Sequence, residues 1–444
     1  MVRLRVCITL TLACLAAVFA NAQDTATQKG IKWTLQQCID YAKQHNIQIN
    51  NLRLTAQSAQ QDLLQSRAAR QPDLSGGFSH SFTHGNVLDT NGVSFRGHTG
   101  VVQNFSINSG ITLYNGNFIN NDIKQKGLLL QSANLDIVQT ENDIILQITQ
   151  AFLNILLAKE NIVYLQDVVN TSQAQLQQEQ TLYNAGSVAR KDMVTFQAQA
   201  ANDAYNLVLA NNTLRQNTLT LKQLLQLPVN TSFEANVPDS ITAEKMYPAL
   251  DRALGSALQT RPEIKNGQLQ VDIAQLDLEK AKAGLRPVIT ANGSLSTGYS
   301  NSSGAYFRQL DNNFFQQVGL TLSVPIFNKR ATKTAVEKSK ISIAQSENDF
   351  TNTKTILSQA VEQAYINVLN AESQYDAAVI ALSSAQQSYQ ITNEQMKLGA
   401  INGVDLLVQK NLYIQALQSY IQAKYNTVLY IKIYEFYMGM PVTL

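Results

Sequence analysis

The chain has 444 residues, enough for two or three domains, and only 15% of them are charged. Its formal net charge is +2, which Arg3 and Arg5 alone supply, so the remainder is near neutral and gives no support for nucleic-acid binding. Only Cys38 of the three cysteines lies beyond residue 22, which excludes a disulfide framework within one chain.

The first 22 residues read as a secretory signal. Arg3 and Arg5 precede an apolar run from Val6 to Phe19, and Ala20-Asn21-Ala22 fits a small-x-small cleavage site before Gln23. Leu12-Ala13-Cys14 falls too early in that run for a lipidation site. Past residue 22 no stretch of about 18 apolar residues occurs, so no membrane-spanning helix is expected.

From Thr34 to Ala69 the pattern is helical, with Leu35, Ile39 and Ala42 on one face, and Gln71-Pro72 ends it. Residues 73–116 change character. Val101, Phe105, Ile107, Ile111 and Leu113 alternate with Asn104, Ser106, Asn108, Gly110 and Thr112, a period of two that defines a strand with one apolar face. Leu74, Phe78 and Phe82 mark its hairpin partner, and His84 to Gly97 forms the loop. A long helical hairpin follows over 117–227. It carries Ile148, Ile155, Ile162, Val169, Leu176 and Tyr183 at a spacing of seven and turns at Gly186. Residues 229–248, with Pro238 and Pro248, form a linker belonging to the middle of the molecule.

Residues 249–444 repeat the plan of 23–228. Leu250, Leu254, Ala257 and Arg286-Pro287 match the first helix at a shift of 215. A second hairpin spans 287–327: Ile289, Ala291, Leu295 and Tyr299 alternate with polar residues, as do Val318, Leu320, Leu322, Val324 and Ile326, around a polar loop from Asn301 to Asn313. The helical hairpin 328–440 contains no Gly or Pro from Asn328 to Leu398, which makes a helix about 100 Å long at 1.5 Å per residue. Val361, Val368, Tyr375, Leu382, Tyr389 and Met396 recur every seven residues, with Ala364, Ala371, Ala378 and Ala385 as a second seam. These heptads coincide with those of the first repeat at a shift of 213, which also superposes Gly399 on Gly186, Asp405 on Asp192 and Pro441 on Pro228. The chain is a tandem repeat.

The four strands are long enough to cross a bilayer, which takes about 9–11 residues, and they alternate as membrane strands do. Tyr114, Tyr299, Phe314 and Phe327 are placed for interfacial girdles. Four strands cannot close a barrel, and an open edge is forbidden in lipid, so several copies must share one. The class is mainly α with a membrane β-barrel portion.

Helix, hairpin, long helix, Gly turn and helix, twice over, resemble the TolC-like outer-membrane efflux proteins of Gram-negative bacteria. The resemblance runs from Trp33 to Pro441. It rests on Leu182-Tyr183-Asn184-Ala185-Gly186 through Asp192, on Met396-Lys397-Leu398-Gly399 through Asp405-Leu406-Leu407, and on the strand-to-helix junction Leu322-Ser323-Val324-Pro325-Ile326-Phe327. It implies a homotrimer with a 12-stranded barrel continuous with a periplasmic helical tunnel. The implied partners are a periplasmic adaptor, an inner-membrane transporter and outer-membrane lipid. The implied cargo is drugs or other small toxic solutes, with type I protein secretion as the alternative.

The resemblance places Ala185, Gly186, Val188, Leu398, Gly399, Ala400 and Ile401 at the tip that meets the adaptor. It places Asp192 and Asp405 in an acidic ring at the periplasmic entrance; the competing reading is that each Asp stabilises a helix N-terminus by capping or through the dipole. Some relatives carry a second acid where this chain has Val408, and a Tyr and an Arg latch where it has Met396 and Ile401. Arg190 and Lys191 are candidate substitutes for that latch.

No catalytic constellation stands out. His80, His84 and His98 cluster near the first hairpin, where solvated or lumen-facing positions suit them better than metal ligation. Cys38 reads as a buried helical thiol. No phosphate-binding loop is present, so energy must come from a partner, and no cofactor is expected. A secreted structural coiled coil explains the heptads but not the strands. An enzyme on a helical scaffold lacks a catalytic cluster.

Overall fold

The computed structural model describes residues 32–88, 94–238, 247–301 and 304–443. The signal segment 1–22 lies outside the described residues. Strand β1 (Lys32–Trp33) leads into α1 (Leu35–His45) and α2 (Ile47–Ala68). The single helix expected over Thr34–Ala69 is therefore two. Thr34 opens α1 with a capping box to Gln37. Asn46 then leaves helical geometry, and its side chain accepts from the N–H groups of Gln48 at 2.8 Å and Ile49 at 3.3 Å. The second repeat breaks at the same place by other means. Between α5 (Leu250–Thr260) and α6 (Pro262–Ala283), Pro262 occupies the first position of the new helix, where its missing N–H costs nothing.

The long helices α3 (Phe118–Asn184) and α8 (Ala331–Lys397) each have 67 residues, about 100 Å. Each turns back as a shorter partner, α4 (Arg190–Leu225) or α9 (Gly403–Tyr437). Val361, Ala364, Val368, Ala371 and Ala378 are buried in one coil and Ile148, Ile155 and Val169 in the other, as the heptads require. Tyr183, at the end of its stripe, is exposed. Nearer the sheet, α2 packs on α3, α3 on α6 and α6 on α8; away from it, the coils α3/α4 and α8/α9 run side by side. The linker supplies β4 (Glu234–Ala235), which pairs in parallel with β1.

The sheet is antiparallel throughout, in the order β2 (Asp73–Leu88), β3 (Ser94–Asn115), β5 (Val288–Ser300), β6 (Phe315–Ser323). Its register puts Gly76, Ile107 and Leu295 in one row and Ile111, Ala291 and Leu320 in another, so one face is apolar. Ser75, Asn108 and Ser294 share the other face, as do Thr112, Thr290 and Thr321. A bulge between Thr112 and Tyr114 puts Tyr114 opposite Ile289. His80 corrects an expectation. It lies on the apolar side between Phe78 and Phe82, its Nδ1 2.9 Å from Gln103 Nε2, because its parity matches that of the phenylalanines. The side chain of His98 lies outside the described residues. The polar loop expected over Asn301–Asn313 contains a helix, α7 (Tyr306–Asn312).

Each hairpin hands over to its long helix through two consecutive left-handed residues, Gly116-Asn117 and Lys329-Arg330. At Gly116 a side chain is excluded, since a Cβ there meets Ala283 O at 2.9 Å and Arg286 Cβ at 2.8 Å. Among the described residues no helix is long and apolar enough to cross a membrane.

The two faces predict different tolerances. Leu320→Arg on the apolar face should cost about 2–4 kcal/mol and lower the amount of assembled protein in the membrane fraction. Thr321→Arg, one residue on, should assemble normally. Equal losses from both, read on semi-native gels, overturn the assignment of faces.

Candidate functional site

The candidate residues occupy the two turns farthest from the sheet. Both turns close in one geometry. At the first, Gly186 takes φ +75°, its N–H donates to Tyr183 O at 2.9 Å, and Ser187 N–H donates to Leu182 O at 2.9 Å. At the second, Gly399 takes φ +71°, its N–H donates to Met396 O at 3.0 Å, and Ala400 N–H to Gln395 O at 2.9 Å. These are Schellman closures, in which glycine relieves the strain of the left-handed position and the last carbonyls find donors. Ala185, Gly186, Leu398, Gly399 and Ala400 are exposed, while Val188 and Ile401 are half-buried. Leu398, at 83% exposure, is a large apolar side chain projecting from a tip.

Asp192 and Asp405 are each the third residue of a returning helix, and neither is its cap. Asn402 caps α9, its side chain accepting from the Asp405 N–H at 3.0 Å. Ala189 stands at the start of α4 and offers no side-chain cap. The capping explanation for the two acids is thus removed, and the helix dipole, worth about 0.3–1 kcal/mol, is what remains of the helix-terminus reading. Asp192 is half-buried and Asp405 exposed. Arg190 and Lys191 are exposed, and neither forms an ion pair among the described residues.

The two coils meet just above the tips. A Cβ added to Gly403 lies 2.5 Å from the Phe196 ring, so the absence of a side chain lets α9 approach α4. Two turns further on, Lys410 of α9 is buried among groups of the other coil. Its Nζ donates to Ser172 Oγ, and it lies 3.4 Å from both Gln175 Oε1 and Asp203 Oδ2. Ser172 also donates to Asp203, and Gln199 Nε2 donates to the other Asp203 oxygen at 2.9 Å. Lys410 and Asp203 are 3% and 4% exposed, an ion pair withdrawn from water. Burial pushes the Lys410 pKa below its ordinary value, and the Asp203 charge opposes this. Higher still, Lys424 spans to both oxygens of Glu160 at 3.2 Å.

Sequence reasoning missed this cluster, although a signal was present. Ala158, Leu165, Ser172 and Glu179 run at a spacing of seven along α3 and are all buried, so the seam turns from apolar to polar to charged toward the tip. Its counterpart at a shift of 213 is Ala371, Ala378, Ala385 and Thr392. Polar residues at core heptad positions ask for a partner. Glu179 is 3% exposed, and its carboxyl is held above the ordinary range by burial first and by the charge of Asp192 second.

Comparison with known proteins fits this geometry. Residues 38–226 and 253–429 match the family model described as outer membrane efflux protein. The chain belongs to that family. It is 25% identical over 408 residues to outer membrane protein TolC of Escherichia coli strain K12, covering 88% of this chain and 79% of that one. It is 25% identical over 289 residues to the pyoverdine export outer membrane protein OpmQ of Pseudomonas aeruginosa, covering 64% and 59%. Its fold matches the outer membrane channel CmeC of Campylobacter jejuni with a TM-score of 0.80, at 16% identity over 91% of this chain and 85% of that one. The protein is an outer-membrane efflux component. Its four strands are one chain's share of a membrane barrel, and its coiled helices extend into the periplasm.

The buried groups give two tests. Lys410→Met should destabilise by about 3–5 kcal/mol, because it strands the Asp203 charge, whereas Lys410→Met with Asp203→Leu should recover most of the loss. Chemical unfolding of the purified protein reads both. Glu179 binds its proton more tightly folded than unfolded, so Glu179→Gln should stabilise at pH 7. The advantage should shrink as pH falls through the raised folded pKa and vanish below the unfolded one, near 4.5. An advantage that persists at low pH contradicts this.

Proposed function

We propose that three copies of this chain form the exit duct of a tripartite efflux assembly. The observation that carries this reading is the four-stranded sheet, apolar on one face, polar on the other, and open at β2 and β6. Edges open in lipid leave backbone groups unsatisfied, and three copies joined edge to edge close into 12 strands. The polar face then lines an aqueous lumen continuous with the space enclosed by the coils. The duct is passive. An inner-membrane transporter supplies energy, and a periplasmic adaptor joins it at Ala185, Gly186, Val188, Leu398, Gly399, Ala400 and Ile401. The exposure of five of these residues, the small side chains of Ala185 and Ala400 beside the glycines, and the projecting apolar Leu398 suit helix-to-helix docking. Drugs or other small toxic solutes are the favoured cargo.

Asp192 and Asp405 are assigned to the entrance. Three chains bring six carboxylates near one axis, where they attract cations and resist full ionisation. The cluster of Lys410, Ser172 and Asp203 takes the place of the Tyr and Arg latch absent at Met396 and Ile401. It joins the α8/α9 coil to the α3/α4 coil where the entrance narrows.

Planar-bilayer recordings test the ring. Asp405→Asn and Asp192→Asn should change conductance and weaken block by a trivalent cation, with trimers intact. Asn402 already caps α9, so a change from Asp405→Asn is not a capping effect. Unchanged conductance and block in both variants sink the gate. At the tips, Gly186→Trp and Gly399→Trp meet open space, with no atom within 4 Å of an added Cβ. Their cost is the left-handed φ alone, about 1–2 kcal/mol each. Trimers should persist while solute export and adaptor cross-linking are lost. Normal export by both counts against docking there, and secretion of a protein substrate with no solute export reassigns the cargo.

A further inference from the structure

The short helix α7 is fastened to the sheet in a specific way. Strand β6 begins at Phe315, opposite Ser296, but β5 continues to Ser300. Among the described residues, the edge of β5 beyond Ser296 therefore has no strand beside it. Side chains of α7 and the residue after it take the place of that strand. Gln309 is 5% exposed; its Oε1 accepts from Ser300 N–H at 2.8 Å, and its Nε2 donates to Ser300 O at 2.8 Å. Asn313 Nδ2 donates to Gly298 O at 2.8 Å. Tyr306 packs on Tyr299 with ring centroids 4.8 Å apart, and Thr297 donates its hydroxyl to Leu310 O. Tyr306, Gln309, Leu310 and Asn313 lie three or four positions apart and form one side of the helical segment. The other side carries Phe307, 82% exposed, with Arg308 and Asp311 also exposed.

The mismatch between the free edges says what meets that side. Strand β2 has 16 residues and β6 has nine, so at least seven positions on the β2 edge find no β6 residue opposite them in any register. The excess lies at the loop end, because β2 follows α2 and β6 precedes α8 at the other end. α7 stands at the loop end, beside the line that β6 would take if it continued. The groups it satisfies on β5 point away from β3, so its free side faces the next strand around the sheet. An exposed strand edge needs a cover, and a helix is one of the covers proteins use.

We propose that the Phe307 side of α7 packs against the loop end of β2 in a second copy of this chain and closes the joint above the last β6 hydrogen bond. This rests on the trimer reading and adds to it a contact that strand pairing alone does not provide. The joint is then composite: strand against strand over β6, helix against strand above it. Because Gln309 and Asn313 occupy the β5 edge, β2 of the neighbouring copy cannot add to β5 in place of β6, which fixes the order of strands across the joint.

Disulfide trapping in outer membranes tests this. Two differently tagged chains are co-expressed, one with Phe307→Cys and the other with Phe82→Cys near the loop end of β2, on the same face of the sheet as Thr297 and Tyr299. Cys38 is fully buried, with its thiol pushed up to about 12, and gives no background. Copper phenanthroline should yield a covalent heterodimer, reversed by reductant, at least tenfold above the pairing of Phe307→Cys with Leu74→Cys at the opposite end of β2. Semi-native gels of the same membranes report the oligomer independently. An intact oligomer without the cross-link, in which Phe307→Cys instead reacts with a membrane-dissolved maleimide, assigns Phe307 to outer-leaflet lipid and overturns the proposal. Absence of any oligomer overturns the trimer reading itself.

Discussion

A strand in lipid has no water to hydrogen-bond its backbone, and that constraint organises this molecule. One chain satisfies three ladders, β2 with β3, β3 with β5, and β5 with β6, and leaves two edges open. The β3–β5 ladder is the one that joins the two repeats within the chain, so the duplication puts two hairpins side by side without a partner molecule. The long helices follow from the sheet. Each hangs from a strand through a pair of left-handed residues and continues about 100 Å from the membrane strands. The alternation that gives the sheet an apolar and a polar face also gives the duct a lipid side and a water side.

The coils obey a second constraint. Their heptads need apolar seams to hold each helical hairpin together, and far from the tips the hairpins share an apolar cluster that includes Ile148 and Phe152 of α3 with Ile421, Tyr425 and Val428 of α9. Toward the tips, above the Gly403–Phe196 approach, the contacts between hairpins include polar ones: Lys410 with Ser172 and Asp203, then Lys424 with Glu160. A buried ion pair adds little net stability over a well-packed apolar pair but tolerates no missing partner. It specifies how the coils seat against each other more than it strengthens them.

The two repeats diverge at this place. At a shift of 213, Lys410 falls on Gln197, Asp203 on Ala416, Gly403 on Arg190 and Ser172 on Ala385. One coil carries the inserting cation and the glycine that allows approach; the other carries the acceptors and Phe196. The tip turns, by contrast, keep one geometry in both repeats. Symmetry is retained where the two hairpins do the same thing and given up where they touch each other.

Much of this was written in the sequence, because it depends on period. Alternation over Val101–Leu113 and Val318–Leu322 fixes strand faces, although β6 ends at Ser323 and leaves the expected strand residues Val324 and Ile326 outside it, and spacing of seven fixes helix seams; both are local properties that survive without knowledge of neighbours. The match of Gly186 with Gly399 and of Asp192 with Asp405 revealed the duplication and the tips. Tertiary structure decided what depends on distant partners. It split α1 from α2 at Asn46, put His80 on the apolar face beside Gln103, and replaced a polar loop with α7, whose Gln309 bonds the β5 edge that β6 does not reach. It gave the capping role to Asn402 and left Asp405 free of it. Above all, it brought Lys410 to Asp203 across 207 residues of chain. No periodicity encodes that contact, since a buried charge is legible only once the group that neutralises it is in place.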